Sequence, residues 1–446
     1  MSKVLRSVHL TNYYHDISGG VKSNYDNLLL AANEYGRYVS LIVPGEENRV
    51  KRIGDYGKIY FVKAQRAPFF DRRYRLMLPF HYLKDGSPIR EILLEEKPQM
   101  IEIYDNYSLT LMAGMIRKGY FKKLGRPMLV YFTGERFDTI FNSFVLNGRL
   151  GTWFSRRLMG NYNLAMFDYF IANSPFVAEE LFESVLPEFN PGRSKTFFNF
   201  CWSFFNSSAD NFKERVAICP RGVNTVQFSP SRRSESLRTE ILKQHKIPTD
   251  AIVLLSSTRI SPEKNIELLP KIMQILSKDA DHDFRLLVAG AGPKQEWLEL
   301  EAGKLQGKIV LVGHLDKETL ANYYANADVF IHPNPREPFG NVVLEAMASG
   351  CAVVAPNSGG VLSYANKLNA WLVNPTAEDF ALAIKDAVEN RRLRKVRIQN
   401  AIKTALENSK EDAIRRLFET YDRMYEEFSR LRSTDQKVDS NQQKEH

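Results

Sequence analysis

Residues 334–350, NPREPFGNVVLEAMASG, set two carboxylates on either side of a glycine that opens a helix. The apolar run ADVFIHP just before it predicts a strand, so Glu337 falls in the loop that follows. The pattern predicts a helix over about residues 340–349, with Gly350 as its C-cap and a strand, CAVVAP, directly after. A helix start at the mouth of a sheet presents unpaired N–H groups and a positive dipole end, which suit a phosphate. Glu345 is then placed to accept hydrogen bonds from hydroxyls of the same ligand.

The stretch resembles the E-x7-E signature of retaining nucleotide-sugar glycosyltransferases with the GT-B fold, and in particular glycosyltransferase family 4. A bare pair of acids at this spacing is more often a loop acid and a helix acid in solvent. Here, however, the segment PFGNVVLEAMASG matches the family almost position by position. The resemblance implies an α/β chain of two Rossmann-like parallel-sheet domains that face each other across a cleft.

The rest of the C-terminal half alternates strands with helices. Apolar runs in AIVLLSSTRI, FRLLVAGAGP and KIVLVGHL predict three buried strands, and DKETLANYYANA predicts a helix before the strand that leads to Glu337. This alternation is typical of a parallel sheet with right-handed crossovers. Ligands bind beyond the carboxyl ends of such strands, and Arg259, Gly290, His314 and Gly340 fall there.

The resemblance assigns roles to residues at these strand ends. Arg259 and Lys264 would hold the donor diphosphate and Glu337 would orient the transferred sugar, so these three form the predicted catalytic set. Glu345 would bind the ribose, and the backbone at residues 314–315 would bind the base. The full predicted donor-binding set is Gly20, Gly290, His314, Leu315, Phe339, Gly340, Asn341, Val342 and Glu345. With two cations at the diphosphate, neither a metal ion nor another cofactor is required.

Two short motifs are similar to a nucleotide-binding and a metal-binding motif of other protein classes. The Gly-x-Gly at residues 290–292 follows a strand, as in the dinucleotide-binding fingerprint, but the third glycine of that fingerprint is missing. We interpret it as a tight turn at the rim of the nucleotide site. The D-x-D at residues 281–283 imitates a metal motif, but it precedes its strand and so lies at the wrong end of the sheet.

The N-terminal half is also strand–helix alternating. Its strand candidates are VLRSVHL, VSLIVPG, QMIEIYD, MLVYFTG, YFIANSP and RVAICP. The turn at Gly19-Gly20 lets the backbone approach a ligand closely, and the resemblance places it against the donor phosphates and the acceptor. Many family members carry a histidine after the central strand, whereas this chain reads YFTGERFD. Glu135 and Arg136 are therefore acceptor candidates, together with Asp105, for which a helix-capping role is an equally good interpretation.

The chain length and the positions of proline and glycine residues predict two domains. At 446 residues the chain exceeds what one core usually supports, so two units of about 200 residues are expected. Pro220, Gly222 and Pro230 mark the linker between them. By resemblance, a late helix crosses back to the N-terminal domain. The predicted boundaries are 1–222 for the N-terminal acceptor-side domain, 223–408 for the donor domain, 409–432 for the late helix and 433–446 for a disordered polar tail.

Composition indicates in which cellular compartment the protein works and which classes of partner it binds. Three cysteines without metal-ligand spacing favour a reducing cytoplasm, and we expect neither a signal peptide nor a membrane span. The net charge of +9 admits a nucleic-acid-binding protein, but no basic run is dense enough to favour one. The expected partners are therefore a nucleotide-sugar donor and an acceptor, without nucleic acid.

Taken together, the residues and the resemblance predict a retaining hexosyltransferase that acts on a hydroxyl of a sugar, a growing glycan or a lipid-linked acceptor. The alternative is a GT-B enzyme that does not transfer, such as a nucleotide-sugar epimerase or a sugar phosphorylase. These two classes differ in product, because only the transferase glycosylates an acceptor.

Three N-terminal stretches mix cations with aromatic residues, namely RAPFFDRRYRLMLPF, RLGTWFSRRLMG and KTFFNFCWSFFN. Cations attract anionic headgroups, while Trp and Phe side chains settle at the membrane interface. The stretches therefore predict peripheral docking at the inner face of an anionic membrane. The competing interpretation is that these aromatics line an interdomain core or an acceptor groove.

Overall fold

The chain divides into two compact units. The first unit comprises Met1–Asn173, Val177–Cys219 and Ile414–His446, and the second comprises Ser174–Phe176 and Pro220–Ala413. The structure is a computed structural model, and it describes residues 4–15, 19–67, 74–146 and 148–442.

The strands of the first unit are β1 (Ser7–Thr11), β2 (Val39–Gly45), β3 (Arg49–Ile53), β4 (Gly57–Lys63), β5 (Gln65–Arg66), β6 (Arg75–Leu76), β7 (Met100–Tyr104), β8 (Met128–Thr133), β9 (Tyr169–Ala172) and β10 (Val216–Ile218). Eight of them form one sheet in the order β10-β9-β8-β7-β1-β2-β4-β3, and β5 pairs with β6. All pairings in the large sheet are parallel except that of β3 with β4. Successive residues of β2 enter different cores, Leu41 and Val43 on one face and Ile42 on the other, as expected for a sheet covered on both sides.

The helices that follow these strands are α1 (Gly19–Glu34), α2 (Pro88–Glu96), α3 (Ser108–Arg117), α4 (Phe137–Phe144), α5 (Gly148–Leu158), α6 (Pro175–Val185) and α7 (Lys195–Phe204). Helix α1 starts at the predicted glycine turn. It buries Tyr25, Leu28, Leu29 and Ala32, which recur at helical spacing, so its apolar stripe fixes which side packs on the sheet.

The second unit contains a six-stranded, fully parallel sheet. Its strands are β11 (Ile252–Ser257), β12 (Phe284–Ala289), β13 (Ile309–Gly313), β14 (Val329–Ile331), β15 (Ala352–Pro356) and β16 (Trp371–Val373). Its helices are α8 (Glu235–Gln244), α9 (Leu268–Leu276), α10 (Gln295–Gly303), α11 (Lys317–Asn326), α12 (Asn341–Ala348), α13 (Ala377–Glu389) and α14 (Arg391–Glu407). In the order β13-β12-β11-β14-β15-β16, successive strands are added to one edge up to β13 and to the other edge from β14 onward, so the order of addition reverses between β11 and β14. Such a switch point opens a crevice at the carboxyl ends of these two strands, where ligands bind in parallel sheets.

The last helix, α15 (Lys410–Gln442), belongs to the first unit from Ile414 onward. Leu417, Phe418, Tyr421 and Met424 enter a core of that unit, and the Tyr421 hydroxyl donates to the buried carboxylate of Glu102. The helix continues through residues 433–442, where we predicted a disordered tail, because STDQKVDSNQ contains no proline or glycine to stop it. Residues 443–446 lie outside the described residues.

The α/β fold with two Rossmann-like parallel sheets is confirmed. Each of the six N-terminal strand candidates and each of the five C-terminal ones contains a strand of the corresponding sheet. Within the described ranges, no helix combines the length and the apolarity needed to cross a membrane.

Candidate active site

The loop between β14 and α12 carries Glu337 and is held by its neighbours. The Asn265 side chain, after β11, donates to the carbonyl of Pro333 at 2.9 Å. On the other side, after β15, the Gly360 amide donates to the Glu337 carbonyl at 2.7 Å and Ser358 Oγ donates to the Pro335 carbonyl at 2.9 Å. The loop is thus fixed from both sides of the switch point.

Glu337 forms an ion pair with Lys264 at this edge. Lys264 Nζ lies 3.0 Å from Glu337 Oε2, and Asn334 Nδ2 donates to the same oxygen at 2.9 Å. His332 Nε2 lies 3.7 Å from it. Burial alone would raise the pKa of Glu337, but the charge of Lys264, the nearby His332 and these hydrogen bonds lower it to about 2. Glu337 is therefore a carboxylate over the whole physiological range.

Helix α12 begins beside this carboxylate at a glycine in the left-handed region. Gly340 has φ = 86°, and a Cβ there would meet the Tyr364 hydroxyl and Val361, so glycine is required. The Tyr364 hydroxyl donates to the carbonyls of Phe339 at 3.0 Å and Gly340 at 2.6 Å. This turn fixes the helix start, whose first amides, at Asn341 and Val342, point out of the helix as donors for an anion.

Glu345 lies on α12 in an environment unlike that of Glu337. Burial raises its pKa to about 7, against smaller lowering effects of Lys317 and of the Tyr324 hydroxyl. That hydroxyl donates to Glu345 Oε2 at 3.3 Å. Glu345 is thus close to half-protonated at neutral pH, and ligand hydroxyls that donate to it would favour its charged form.

The loops after β11, β12 and β13 are joined by backbone hydrogen bonds. The Ile260 amide donates to the Ala291 carbonyl at 3.2 Å, and the Gly290 amide donates to the Gly313 carbonyl at 2.7 Å. Gly290 has φ = 143°, and a Cβ on it would overlap the Thr258 carbonyl oxygen. Gly290 therefore serves the close packing of neighbouring loops, which agrees with a tight turn rather than a dinucleotide fingerprint.

The remaining predicted donor residues of this unit lie on the same loops. Arg259 is half-buried between β11 and Lys264, while His314 is exposed and Leu315 half-buried directly after β13. The structure thus brings together at one sheet edge the predicted residues Arg259, Lys264, Gly290, His314, Leu315, Glu337, Phe339, Gly340, Asn341, Val342 and Glu345. Gly20 lies in the first turn of α1 in the other unit.

The three acceptor candidates differ in their surroundings. Asp105 is buried, and its Oδ1 accepts from the Tyr107 and Leu109 amides at 2.8 and 3.0 Å, so it serves the capping role. Arg136 is 4% exposed and is shared by Asp138 and Glu183, so it is a structural cation rather than an open contact. Only Glu135 is exposed.

Several residues around the site were not predicted from the sequence. His332 and Asn334 flank Glu337, Tyr324 contacts Glu345, and Tyr364 holds the start of α12. Asn334 stands inside the quoted motif and could have been found there. Tyr324 and Tyr364 come from other elements, and their contacts depend on tertiary packing. The described residues contain no group of three or more His, Cys, Asp and Glu side chains arranged to hold a metal ion.

Comparison with known proteins assigns a family to the second unit. Residues 238–404 match the family model described as Glycosyl transferases group 1. An uncharacterized glycosyltransferase of Methanocaldococcus jannaschii is 29% identical over 217 residues, which cover 48% of this chain and 54% of that protein. A GDP-mannose-dependent alpha-(1-6)-phosphatidylinositol dimannoside mannosyltransferase of Mycobacterium tuberculosis is 26% identical over 391 residues, covering 86% of this chain and 88% of that protein. The chain thus spans about half of the first relative and most of the second.

Solved structures extend the likeness to nearly the whole chain. Sucrose-phosphate synthase from Thermosynechococcus elongatus superposes with a TM-score of 0.68 at 18% identity, covering 94% of this chain and 99% of that one. At this identity the likeness shows the fold alone, and that fold is GT-B.

Proposed function

We propose that the chain is a retaining glycosyltransferase of family 4, from the premise that residues 238–404 match the family model of the glycosyl transferases group 1. It would transfer a hexose from a nucleoside-diphosphate sugar to a hydroxyl acceptor. The observation that carries this proposal is the half-buried Glu337–Lys264 pair, 3.0 Å apart, beside the start of α12 at the switch point of the second sheet. A negative group for sugar hydroxyls and a cation for phosphate thus stand side by side.

The residues present can stabilise a departing diphosphate without a protein nucleophile. Arg259 and Lys264 supply positive charge, and the first amides of α12 add the helix dipole. Glu337 orients the sugar through its hydroxyls, and Glu345 binds the ribose. The acceptor hydroxyl then attacks on the face that the diphosphate leaves, so the anomeric configuration is retained. These groups accelerate transfer only to the extent that they bind the transition state more tightly than the bound donor.

Metal independence is part of the proposal. The charge that a divalent ion would supply to the diphosphate is supplied by two side chains of one loop, at residues 259 and 264. Activity should therefore survive EDTA. If EDTA abolishes transfer and magnesium or manganese restores it, this part of the proposal is wrong.

A thermal-shift panel of UDP-, GDP- and ADP-sugars tests the donor class, because a ligand that binds the folded state raises the melting temperature by mass action. GDP-mannose is the first compound to try, since several relatives are named as GDP-mannose-dependent mannosyltransferases. The product made from the stabilising donor, examined by NMR, should keep the anomeric configuration of the donor. Donor consumed without a glycosylated acceptor, or release of a sugar phosphate, would instead identify an epimerase or a phosphorylase.

The acceptor is proposed to be lipid-linked and to be reached from the inner face of a membrane in the cytoplasm. The name of the Mycobacterium tuberculosis relative contains a phosphatidylinositol dimannoside, which supports such an acceptor. Glu135, exposed at the carboxyl end of β8, is the candidate acceptor contact in the first unit.

Helix α7 of the first unit presents an apolar face to solvent. Phe198 and Trp202 are buried on one side, whereas Phe197, Phe200 and Phe204 are 56%, 62% and 53% exposed on the other. The exposed residues recur at helical spacing and form a continuous stripe. Helix α5 adds exposed Leu150, Trp153 and Phe154.

Cations accompany these aromatics. In the described part of the chain, Arg149, Arg157, Arg193 and Lys195 have no carboxylate partner. Burial and, to a smaller extent, the charge of Arg157 lower the pKa of Arg193 to about 10. The Arg193 guanidinium donates to the carbonyls of Ser184 and Val185, which leaves Arg149, Arg157 and Lys195 as the cations proposed to meet anionic headgroups beside the exposed aromatics. Phe69, Phe70, Arg72 and Arg73 of the first aromatic stretch lie outside the described residues.

Co-sedimentation with phosphatidylglycerol and phosphatidylcholine vesicles tests this docking. We expect enrichment on the anionic vesicles at low ionic strength, weakened by salt. Phe200→Ser and Trp153→Ser should each reduce it, whereas Leu300→Ser, which changes an exposed leucine of α10, should not. Equal sedimentation with both vesicle types would leave a soluble acceptor as the better proposal.

A further inference from the structure

His332 is buried beside Glu337 with both ring nitrogens unpaired. Its side chain is 1% exposed, and neither Nδ1 nor Nε2 has a hydrogen-bond partner among the residues that the structure describes. Leaving a buried polar group without a partner destabilises the folded state. An unsatisfied group in a native structure therefore calls for an explanation.

The contacts of Glu337 all fall on one of its oxygens. Lys264 Nζ and Asn334 Nδ2 lie within hydrogen-bond distance of Oε2, and His332 Nε2 lies just beyond it at 3.7 Å. No donor from the described chain reaches Oε1. Oε2 is thus the anchored oxygen, and Oε1 is the one available to a sugar hydroxyl.

Lys264 has two competing partners in the proposed reaction. It is paired with Glu337 here, and it is also one of the two cations assigned to the donor diphosphate. When the diphosphate attracts this ammonium group, the half-buried carboxylate keeps, among the described residues, only the amide of Asn334 as a donor within hydrogen-bond distance. A buried charge that loses its partner is strongly destabilised unless another donor replaces it.

We propose that His332 is a positioning residue, which donates a hydrogen bond from Nε2 to Glu337 Oε2 when the donor diphosphate attracts Lys264. This inference rests on the proposed function and names the group that keeps Glu337 oriented during transfer. The approach required is small, because 3.7 Å exceeds an ordinary N–H···O distance by only about 0.8 Å. In the ligand-free protein the imidazole therefore has no hydrogen-bond partner among the described residues, and it can donate to Glu337 once the donor is bound.

The other ionisable groups around Glu337 are consistent with this role. They are Lys264, His332 and Tyr364, and the Tyr364 hydroxyl already donates to two backbone carbonyls. Burial lowers the pKa of His332 to about 4, so the imidazole is neutral at neutral pH and acts as a donor without adding charge.

Two variants test the proposal. His332→Leu removes both nitrogens, whereas His332→Gln retains an amide donor near the position of Nε2. We expect His332→Leu to lower kcat about tenfold or more with the donor KM within about threefold, and His332→Gln to stay within about threefold of wild type in both.

Two further measurements separate positioning from mere packing. In His332→Leu the acid limb of kcat should move to higher pH, because Glu337 in the complex has lost a hydrogen-bond donor. The melting temperature of His332→Leu should equal or exceed that of wild type, because an unsatisfied buried group has been removed.

The proposal is overturned if the two variants lose equal activity, if the loss parallels a fall in melting temperature, or if KM rises with kcat unchanged. Each of these results requires an active wild-type enzyme and so leaves the proposed function standing. A wild type that neither binds nor turns over any nucleotide sugar refutes the proposed function, and this inference falls with it.

Discussion

Acidic side chains near the strand ends of the two units differ in how much of their hydrogen-bonding capacity is used by the protein itself. Among the residues that the structure describes in the second unit, Glu337 is contacted on one oxygen only, and Glu345 accepts from a single tyrosine hydroxyl. In the first unit, Asp105 accepts from two backbone amides, and Glu180 accepts from the amides that begin α4 at 2.7 and 2.6 Å. Arg136 in turn is shared by buried acids.

The difference separates structural acids from acids that are available to a ligand. A carboxylate whose lone pairs are filled by helix amides stabilises its own fold and has little capacity left. A carboxylate with an open oxygen or a movable counter-ion can gain from a ligand. This criterion supports the proposed donor site in the second unit, whereas the first unit offers mainly exposed side chains such as Glu135.

Arg136→Ala tests the structural side of the comparison and should have the largest effect. The change removes the buried guanidinium group that Asp138 and Glu183 share, while Arg156 still pairs with both, at 3.9 Å from Asp138 and 2.8 Å from Glu183. Breaking a buried ion pair from one side costs about 3–5 kcal/mol, and because Arg156 remains we expect a loss of about 3 kcal/mol, at the lower end of that range. Urea denaturation of the first unit should show this loss, whereas Arg52→Ala, at an exposed position on β3, should change stability by less than about 0.5 kcal/mol. An unchanged midpoint for Arg136→Ala would return this residue to the acceptor candidates.

Arg259→Ala and Lys264→Ala test the ligand side. Each should lower kcat by about two or more orders of magnitude, because a preorganised charge at the leaving diphosphate is lost. Glu337→Gln should lower turnover far more than donor affinity, since its contact is to the reacting sugar. The exposed Lys271→Ala on α9 serves as control, and the melting temperatures should stay close to wild type. Near wild-type turnover in Glu337→Gln contradicts the role given to that carboxylate.

Glu345→Ala should act mainly on binding rather than on turnover. Losing a hydrogen bond to a charged acceptor costs about 1–3 kcal/mol, so the donor dissociation constant should rise while kcat changes little. Calorimetric titration with the donor found in the thermal-shift panel measures both the affinity and its loss. If the variant binds the donor normally but turns over slowly, Glu345 rather than Glu337 contacts the reacting sugar.

The sequence predicted the strands that are buried throughout, whereas it missed β4 and β16, which are buried in part, and the exposed β3. Strands β1, β2, β7, β8 and β9 are buried throughout and read as apolar runs. Strand β3, RVKRI, is an exposed, charged antiparallel strand at the sheet edge and was not predicted. Charged edge strands avoid pairing with other chains, so they carry no apolar signal.

The same limit applies to the site. Glu337, Gly340 and Glu345 stand in one stretch and could be found by motif. The contact of Lys264 with Glu337 joins residues 73 positions apart, and only the sheet order brings them together. The unsatisfied state of His332 depends on what surrounds it in three dimensions, as does the raised pKa of Glu345. No local pattern contains that information.

The smallest effect we predict is a pH dependence of donor binding set by Glu345. Burial raises its pKa to about 7 in the ligand-free protein, and ribose hydroxyls that donate to it favour the carboxylate. The pKa therefore falls on binding, so affinity is full above about pH 7 and is lost as pH falls below it. One pH unit below the pKa costs about a factor of ten, or roughly 1.4 kcal/mol.

Calorimetry with an intact nucleoside-diphosphate sugar between about pH 6 and pH 8 measures this dependence, because such a donor lacks the terminal phosphate whose second pKa, near 6, would interfere. Glu345→Gln cannot titrate and should bind with a nearly constant, weaker affinity across the range. His314→Ala controls for the exposed imidazole at the same edge and should keep the wild-type slope. A flat profile in wild type, or a slope that survives in Glu345→Gln, would show that Glu345 is not the group that gains from the ligand, and the contrast between the two units would then rest on Glu337 alone.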